Sequence, residues 1–295
     1  MYELIQVSDS FYYIQSPAKI GLVKTGENEV CLIDSGNDKD AGKKVLRILE
    51  AQGWTLKAIY NTHSHADHIG GNKFLQDRTG CEIYAPEIEK SFTEHTILEP
   101  MYLYGGKPPK NLMHKFMMAQ ESVVQPLNEA ALPEGWEIIH LPGHSFNMAG
   151  FRTPDNVVYL ADCLSSPETL KKYQICFLVD PEKYLETLEM VKVMEAEFFV
   201  PAHAEASKDI SSLAQMNIDK VYEIADKIVE FCNGPMGFDT LLKKLFEEYE
   251  LVMNYEQHAL LRSTVKSYLT WLTEKGRLKM EIKDNVLIWM NRDER

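Results

Sequence analysis

Apolar and polar positions follow two different periods along this 295-residue chain. Near the N-terminus, "FYYIQS" (11–16), "IGLVKT" (20–25), "EVCLIDSG" (29–36) and "LKAIYNT" (56–62) are short runs rich in β-branched and aromatic residues, punctuated by Gly and Asn, and they predict strands. Between the last two, Ala41, Val45, Ile48 and Leu49 recur at helical spacing before Gly53 ends the segment, which predicts a helix. A second block repeats the theme with "CEIYAP" (81–86), "EIIHLPGHS" (137–145), "MAGFRT" (148–153), "NVVYLADCL" (156–164), a helix from about residue 182, and "EFFVPAHAE" (197–205). In that helix Asp180 is the expected N-cap, Pro181 the first helical residue, and Tyr184, Leu188 and Val191 share a face. Two blocks that each hold sheet and helix pack most economically as two sheets face to face with helices outside, an α/β architecture.

Residues 87–130 break the pattern. They are rich in Met, Tyr and Lys, contain "YGGKPPKN" and lack strand alternation, so they read as an inserted helical cap with a flexible loop. From 211 the pattern is helical ("SLAQMNIDKVYEIADKIVEFCN") up to a break at "NGPMG". There follow "FDTLLKKLFEEYE", a strongly periodic stretch with Leu261, Val265, Leu269 and Leu272 on one side, and two alternating apolar runs around Asp284-Asn285, a hairpin signal. Helix, helix, hairpin is the layout of a small winged-helix module. Its bland reading is a lid or dimer element.

Composition changes this picture little. Hydrophobic content of 45% and charged content of 25% are those of a globular protein, no apolar run approaches bilayer length, and the N-terminus has no signal-like stretch; a soluble cytoplasmic protein with no membrane partner is the expectation. The five cysteines are scattered without a C-x-x-C pair, which argues against a disulfide framework and a thiolate metal site. The net charge of −13 disfavours a broad phosphate-binding surface, and the deficit lies wholly in residues 1–236 because the remainder is neutral.

The candidate chemistry is concentrated in "NTHSHADHIGG" (61–71), where His63, His65, Asp67 and His68 fall within six positions. An H-x-H pair on extended backbone points both rings to one side, a turn into the next helix can aim Asp67 and His68 at a second point nearby, and Gly70 and Gly71 let the backbone pass closely. Imidazole and carboxylate suit zinc and other borderline divalent cations. Further ligands stand at strand ends: His144 in "LPGHS", Asp162 in "YLADC" and His203 in "VPAHAE", with Asp162 the natural bridge between two cations. His95, His114, His140 and His258, each isolated, read as ordinary solvated or satisfied side chains, and Cys163 as core.

The ordered set Asp34, "THSHADH", "PGHS", "LADC" and "PAHA" resembles the motif series of the metallo-β-lactamase superfamily over residues 1–210. The resemblance implies a four-layer αβ/βα sandwich with the site at one edge. It implies that His63, His65 and His144 hold one metal and Asp67, His68 and His203 the other, with Asp162 shared. Asp34 would lie behind the ligands, and Asp67 would also hold or receive the nucleophile's proton. The expected plan is a catalytic domain over 1–210 with the 87–130 cap, a connecting helix over 211–236 and a winged-helix-like domain over 237–295. The complete His/Asp ligand set is similar to that of hydroxyacylglutathione hydrolases (glyoxalase II type). The tail instead looks like that of lactamase-β-like proteins, a family of endoribonucleases, which speaks against glutathione.

Three readings follow. The first is a hydrolase of a small-molecule thioester, ester or related acyl compound that uses two divalent metal ions, zinc first with iron or manganese as alternatives, and a metal-bridging hydroxide. The second is a metal-dependent endoribonuclease or phosphodiesterase whose tail grips RNA through Arg262 and Lys266, against which the tail's neutrality counts. The third is a DNA-binding regulator or dimerisation module with a vestigial metal site, disfavoured because every expected ligand is present. A homodimer is compatible with all three. Substrate-binding residues are not identifiable from sequence.

Overall fold

The structure is a computed structural model that describes residues 2–292. Its first sheet has seven strands in chain order: β1 (Glu3–Gln6), β2 (Phe11–Gln15), β3 (Ile20–Lys24), β4 (Glu29–Ile33), β5 (Thr55–Tyr60), β6 (Glu82–Ala85) and β7 (Gln125–Pro126). Pairing is antiparallel from β1 to β4 and parallel from β4 to β7. The second sheet holds β8 (Glu137–His140), β9 (Ala149–Arg152), β10 (Val157–Ser165) and β11 (Phe198–His203), with β11 parallel to β10 and the other pairs antiparallel.

Period-two alternation sorts the first sheet's side chains between two cores. Val23 and Cys31 face inward with Phe11, Ile33 and Tyr60, where they meet Phe151 and Tyr159 of the second sheet. Their neighbours Leu22 and Leu32 face outward with Ile14 and Ile59, under Val45 and Leu49 of α1 (Lys39–Gln52) and Leu75 of α3 (Asn72–Thr79). Helices α7 (Pro181–Lys192) and α8 (Ser211–Phe231) cover the second sheet through Leu188, Val191, Ile218 and Val221. The result is the expected helix, sheet, sheet, helix sandwich.

Local signals account for the boundaries. Asp38 caps α1 by accepting from the Ala41 amide, and Gly53 ends it in the left-handed region at φ 70°. Asp180 caps α7 through the Glu182 and Lys183 amides, with Pro181 at its first position. Residues after the ligand cluster differ from expectation: one helix becomes two, α2 (Ala66–Ile69) and α3. The break falls at Gly70 and Gly71, where a Cβ would overlap the backbone of Asn37 and of Ser35 respectively.

Residues 87–130 form α4 (Glu87–Glu94), α5 (Leu98–Tyr104) and two short 3₁₀ turns, and they return to the first sheet as β7, although no strand is expected there. β1 and α6 (Pro167–Tyr173) are likewise additions to the elements legible in sequence. After α8, β12 (Met236–Gly237), α9 (Phe238–Glu248), α10 (Tyr255–Glu274), β13 (Leu278–Lys283) and β14 (Val286–Asn291) follow. β13 and β14 form a hairpin whose turn residues Asp284 and Asn285 both have positive φ, as a type I′ turn requires. Leu261, Val265, Leu269 and Leu272 are all buried, and their core is continuous with the one between the sheets. The Leu178 amide also donates to the Thr264 hydroxyl at 3.1 Å, which ties α10 to the segment that leads into α7. All five cysteines are free thiols.

Candidate metal centre

β4 and β5 are parallel, so the loops leaving their C-terminal ends emerge at the same edge. The first loop begins with Asp34 and the second contains His63 and His65, with His65 at the N-cap of α2 and Asp67 and His68 in its single turn. Across the gap the β8–β9 loop supplies His144, β10 supplies Asp162 and β11 ends on His203. The register of β10 against β11 shifts on both sides of Ala161, which sits at φ 50° immediately before Asp162. A strained, irregular residue at this place turns the carboxylate out of the strand's alternation and toward the edge.

All seven expected side chains converge into two sets. His63, His65, His144 and Asp162 offer one group of ligand atoms, and Asp67, His68, Asp162 and His203 the other, each within 4.8 Å. In the first, the His65 Nδ1 lies 3.0 Å from His63 Nε2 and 3.1 Å from His144 Nε2. In the second, Asp67 Oδ2 is 3.3 Å from His203 Nε2, and Asp162 reaches His203 at 3.2 Å and His68 at 3.0 Å. Asp162 belongs to both, so a carboxylate shared between two cations is what this geometry can provide. His95, His140 and His258 stand outside these sets, and His114 pairs with Glu256 at 2.9 Å.

Residues behind the ligands fix which imidazole nitrogen faces inward. Asp34, 1% exposed, accepts from the Thr62 amide and hydroxyl, both at 2.8 Å, and from His68 Nδ1 at 2.7 Å. The Thr62 hydroxyl, having donated to Asp34, accepts from His63 Nδ1 at 2.9 Å, and His203 Nδ1 donates to the Pro17 carbonyl at 3.1 Å. The Nε2 lone pairs of His63, His68 and His203 are therefore presented to the centre. His68 Nε2 and Asp162 Oδ1 are buried and, despite their proximity, make no well-formed hydrogen bond. Two orphaned buried polar atoms of metal-ligand type, in a set of five imidazoles and two carboxylates, fit a pair of divalent cations.

Thr62, Glu89, Glu99 and Phe177 also belong to the site, and sequence reasoning assigned none of them. Glu89 of α4 is fully buried and accepts from the Ser64 amide and hydroxyl, the Ser145 hydroxyl and the Asn147 amide at 2.7–3.0 Å. The supposed cap therefore braces the two loops that hold the histidines of the first set. Glu99 of α5 faces His65 Nε2 at 3.8 Å, and burial with the nearby Glu89 charge pushes its carboxyl up to about 8. The Phe177 ring lies edge-on to His65, with centroids 5.3 Å apart. Only Thr62, inside the motif itself, had a usable signal.

Electrostatics divides the five imidazoles. Burial drives His63 well below its usual range, His65 down to about 4 and His144 to about 3. Burial opposes charge on His68 and His203 as well, but Asp162 and Asp67 outweigh it for both. His68 stands well above its usual range and His203 is raised to about 10. Burial likewise works against the charged forms of Asp67 and Asp162, and the neighbouring His68 and His203 overcome it, so both carboxyls are held low. In the metal-free chain two protons thus occupy the place of cationic charge.

The consequence for stability has a definite sign. Below about pH 6.5 an unfolded chain takes up protons that folded His63, His65 and His144 refuse, so stability falls with acid. Above it, folded His203 keeps a proton up to about pH 10 that the unfolded chain has lost, so stability falls again. Thermal melts of metal-free protein should therefore peak at about pH 6.5. Added Zn²⁺ should stabilise more at about pH 8.5 than at 6.5, since binding must displace protons from His68 and His203. Equal zinc-induced shifts at the two pH values would contradict this.

A profile of the metallo-beta-lactamase superfamily matches residues 15–203. The chain belongs to that superfamily. The matched span runs from the last residue of β2 to the end of β11 and includes all seven residues of the two sets. A hydroxyacylglutathione hydrolase of Erythrobacter litoralis is 47% identical over 62 residues, 19% of this chain and 25% of that protein. One from Rhodospirillum rubrum is 34% identical over 83 residues, 28% of each. The chain thus spans about a quarter of the length of these curated relatives. Among solved structures, a beta-lactamase domain protein from Burkholderia ambifaria superposes with a TM-score of 0.71 at 16% identity, covering 98% of this chain and 93% of that one. A metallo-beta-lactamase family protein from Thermus thermophilus gives 0.69 at 15%, covering 99% and 98%. The shared fold therefore extends through the C-terminal helices. Among the described residues no helix is long and apolar enough to cross a membrane.

Asp34 offers a test of the residues behind the ligands. Asp34→Asn keeps the shape and tolerates the left-handed backbone at φ 64°, but it removes the charge that orients His68. We expect metal affinity to fall roughly 10–100-fold, measured by competition with a chromophoric chelator. Unchanged affinity would mean that His68 is oriented by packing alone.

Proposed function

We propose that this chain is a dinuclear-metal hydrolase acting on a small-molecule thioester, ester or related acyl compound. The observation that supports it best is the pair of ligand sets sharing Asp162 at the wall of a cavity of about 640 Å³, a size that suits a small molecule. The name of the curated relatives, hydroxyacylglutathione hydrolase, points to the same reaction class. When bound, divalent cations, zinc first with iron or manganese as alternatives, supply a water of lowered pKa and a Lewis acid for the substrate oxygen.

The chain's own residues do the rest. His63, His65 and His144 would hold one ion, Asp67, His68 and His203 the other, and Asp162 both. Asp34 and Thr62 keep His68 and His63 in the ligating tautomer. Asp67, on the cavity wall, takes up the proton released as water oxygen bonds to the acyl carbon. The C–S or C–O bond then breaks, and the thiol or alcohol departs with a proton. Residues 237–295 we read as a winged-helix-like unit whose α10 closes the cavity rather than gripping nucleic acid: Gln257, Leu260 and Leu261 line it, while Arg262 and Lys266 face a separate groove.

The test combines elemental analysis of the purified chain with a panel of S-lactoylglutathione, acyl thioesters, an aryl ester, a phosphodiester and labelled single-stranded RNA. Two metals per chain with turnover of thioesters or esters is the expected result. Turnover of RNA or phosphodiester alone would install the endoribonuclease reading in its place.

A further inference from the structure

The cavity in front of Asp67 and His144 is chemically uneven. Leu103, Leu164, Ile175, Leu178 and Leu261 line it and are at most 3% exposed, so its depths are aliphatic. Glu168 and Lys172 of α6 and Gln257 of α10 line it too, beside Phe116 and Tyr173, which are 67% and 40% exposed and mark the mouth. A charged substituent pushed among these leucines would lose its hydration, with the buried Glu99 carboxyl beside His65 as the ionisable group on that part of the wall, whereas an alkyl or aryl group gains by burial. A bulky polar carrier fits only toward the mouth.

The roof is built where two segments meet. Leu103 and Leu112 and Met117 of the insertion pack against Ala259 of α10, with Phe177 and Leu260 alongside, and the His114–Glu256 ion pair joins the same two segments. α10 lies beyond residue 203, where the superfamily match ends. The α10 part of the roof therefore lies outside the matched span, whereas the ligand sets lie inside it.

We propose that the substrate presents an uncharged, apolar acyl group of medium length to this chamber, held between α10 and the insertion, with its thiol or alcohol carrier at the mouth. The proposal rests on the hydrolase reading for its acyl chemistry. The chamber itself can be tested without turnover.

The experiment uses the full metal-loaded chain and N-acetylcysteamine thioesters with acetyl, butanoyl, hexanoyl, octanoyl, benzoyl, succinyl and β-alanyl groups. kcat/KM should rise roughly three- to fourfold per methylene through hexanoyl, the increment expected for buried CH₂, and succinyl and β-alanyl should fall at least about tenfold below butanoyl. Leu260→Lys, which places an ammonium at the half-buried roof, should lower the octanoyl-to-acetyl ratio at least about tenfold. In parallel, calorimetry compares the inert thioethers S-octyl- and S-ethyl-N-acetylcysteamine, and the octyl compound should bind at least about tenfold more tightly. If no thioester turns over but the octyl preference holds and Leu260→Lys abolishes it, the chamber assignment stands and the hydrolase reading falls. A flat or inverted chain-length response in binding, or a preference for the succinyl or β-alanyl compound, overturns the assignment.

Discussion

Asp162→Asn should reduce bound divalent metal from two ions per chain to one or fewer and lower kcat/KM by roughly 10²–10⁴-fold. The substitution is nearly isosteric, so it changes charge and donor pattern more than packing. Asp162 is the one residue common to both ligand sets, and the strained Ala161 before it aims its carboxylate at their junction. In the metal-free chain it faces His68 at 3.0 Å and His203 at 3.2 Å, both held in the protonated form. Removing one member of a buried charged set typically costs about 3–5 kcal/mol, which corresponds to the quoted range in rate or affinity. Elemental analysis and steady-state kinetics on the variant, with circular dichroism as the control for folding, make the comparison. A variant that still held two ions and turned over at near the parental rate would remove Asp162 from the bridging role.

Much of this centre is legible in the sequence because metal ligation demands particular side chains, and those side chains are dense. His63, His65, Asp67 and His68 have few structural uses when packed into six positions, and His144, Asp162 and His203 each follow an apolar run that delivers them to a sheet edge. The strands around them follow from alternation, as the split of Val23 and Cys31 from Leu22 and Leu32 between two cores shows. The C-terminal hairpin was equally readable, because Asp284-Asn285 is a turn signal with a backbone cause.

What escaped had no local signature. Glu89 is one acidic residue in the polar string "EIEK", and nothing nearby reveals that folding carries it beneath Ser64 and Ser145. Phe177 lies in an irregular stretch before α7, and its place beside His65 depends on long-range packing. The insertion looked like an accessory for the same reason: its contribution comes from contacts to residues far away in the chain. Leu261 belongs to the periodic apolar side of its helix, but periodicity cannot say whether that side borders core or cavity.

Glu89→Gln should be the most destabilising near-isosteric change at the site's periphery. One carboxylate oxygen accepts the Ser64 amide and hydroxyl, and the other accepts the Ser145 hydroxyl and the Asn147 amide. Whichever way a glutamine amide turns, its NH₂ group confronts one of these donor pairs. A serine hydroxyl can rotate to accept, but a backbone N–H cannot, so at least one buried amide loses its partner. That lost hydrogen bond to a charged acceptor amounts to about 1.5–3 kcal/mol, a sizeable share of the roughly 5–15 kcal/mol that holds a typical domain folded. The melting temperature should drop by roughly 3–12 °C. The effect on metal should be selective: Ser64 stands between His63 and His65 and Ser145 follows His144, so the first ligand set loosens, while Asp67, His68 and His203 are not held by Glu89. Titration of the variant at a temperature where it remains folded should therefore show one site retained and one weakened. If both sites weakened equally, or neither did, the bracing would have to be assigned to the packing of α4 as a whole and not to its carboxylate.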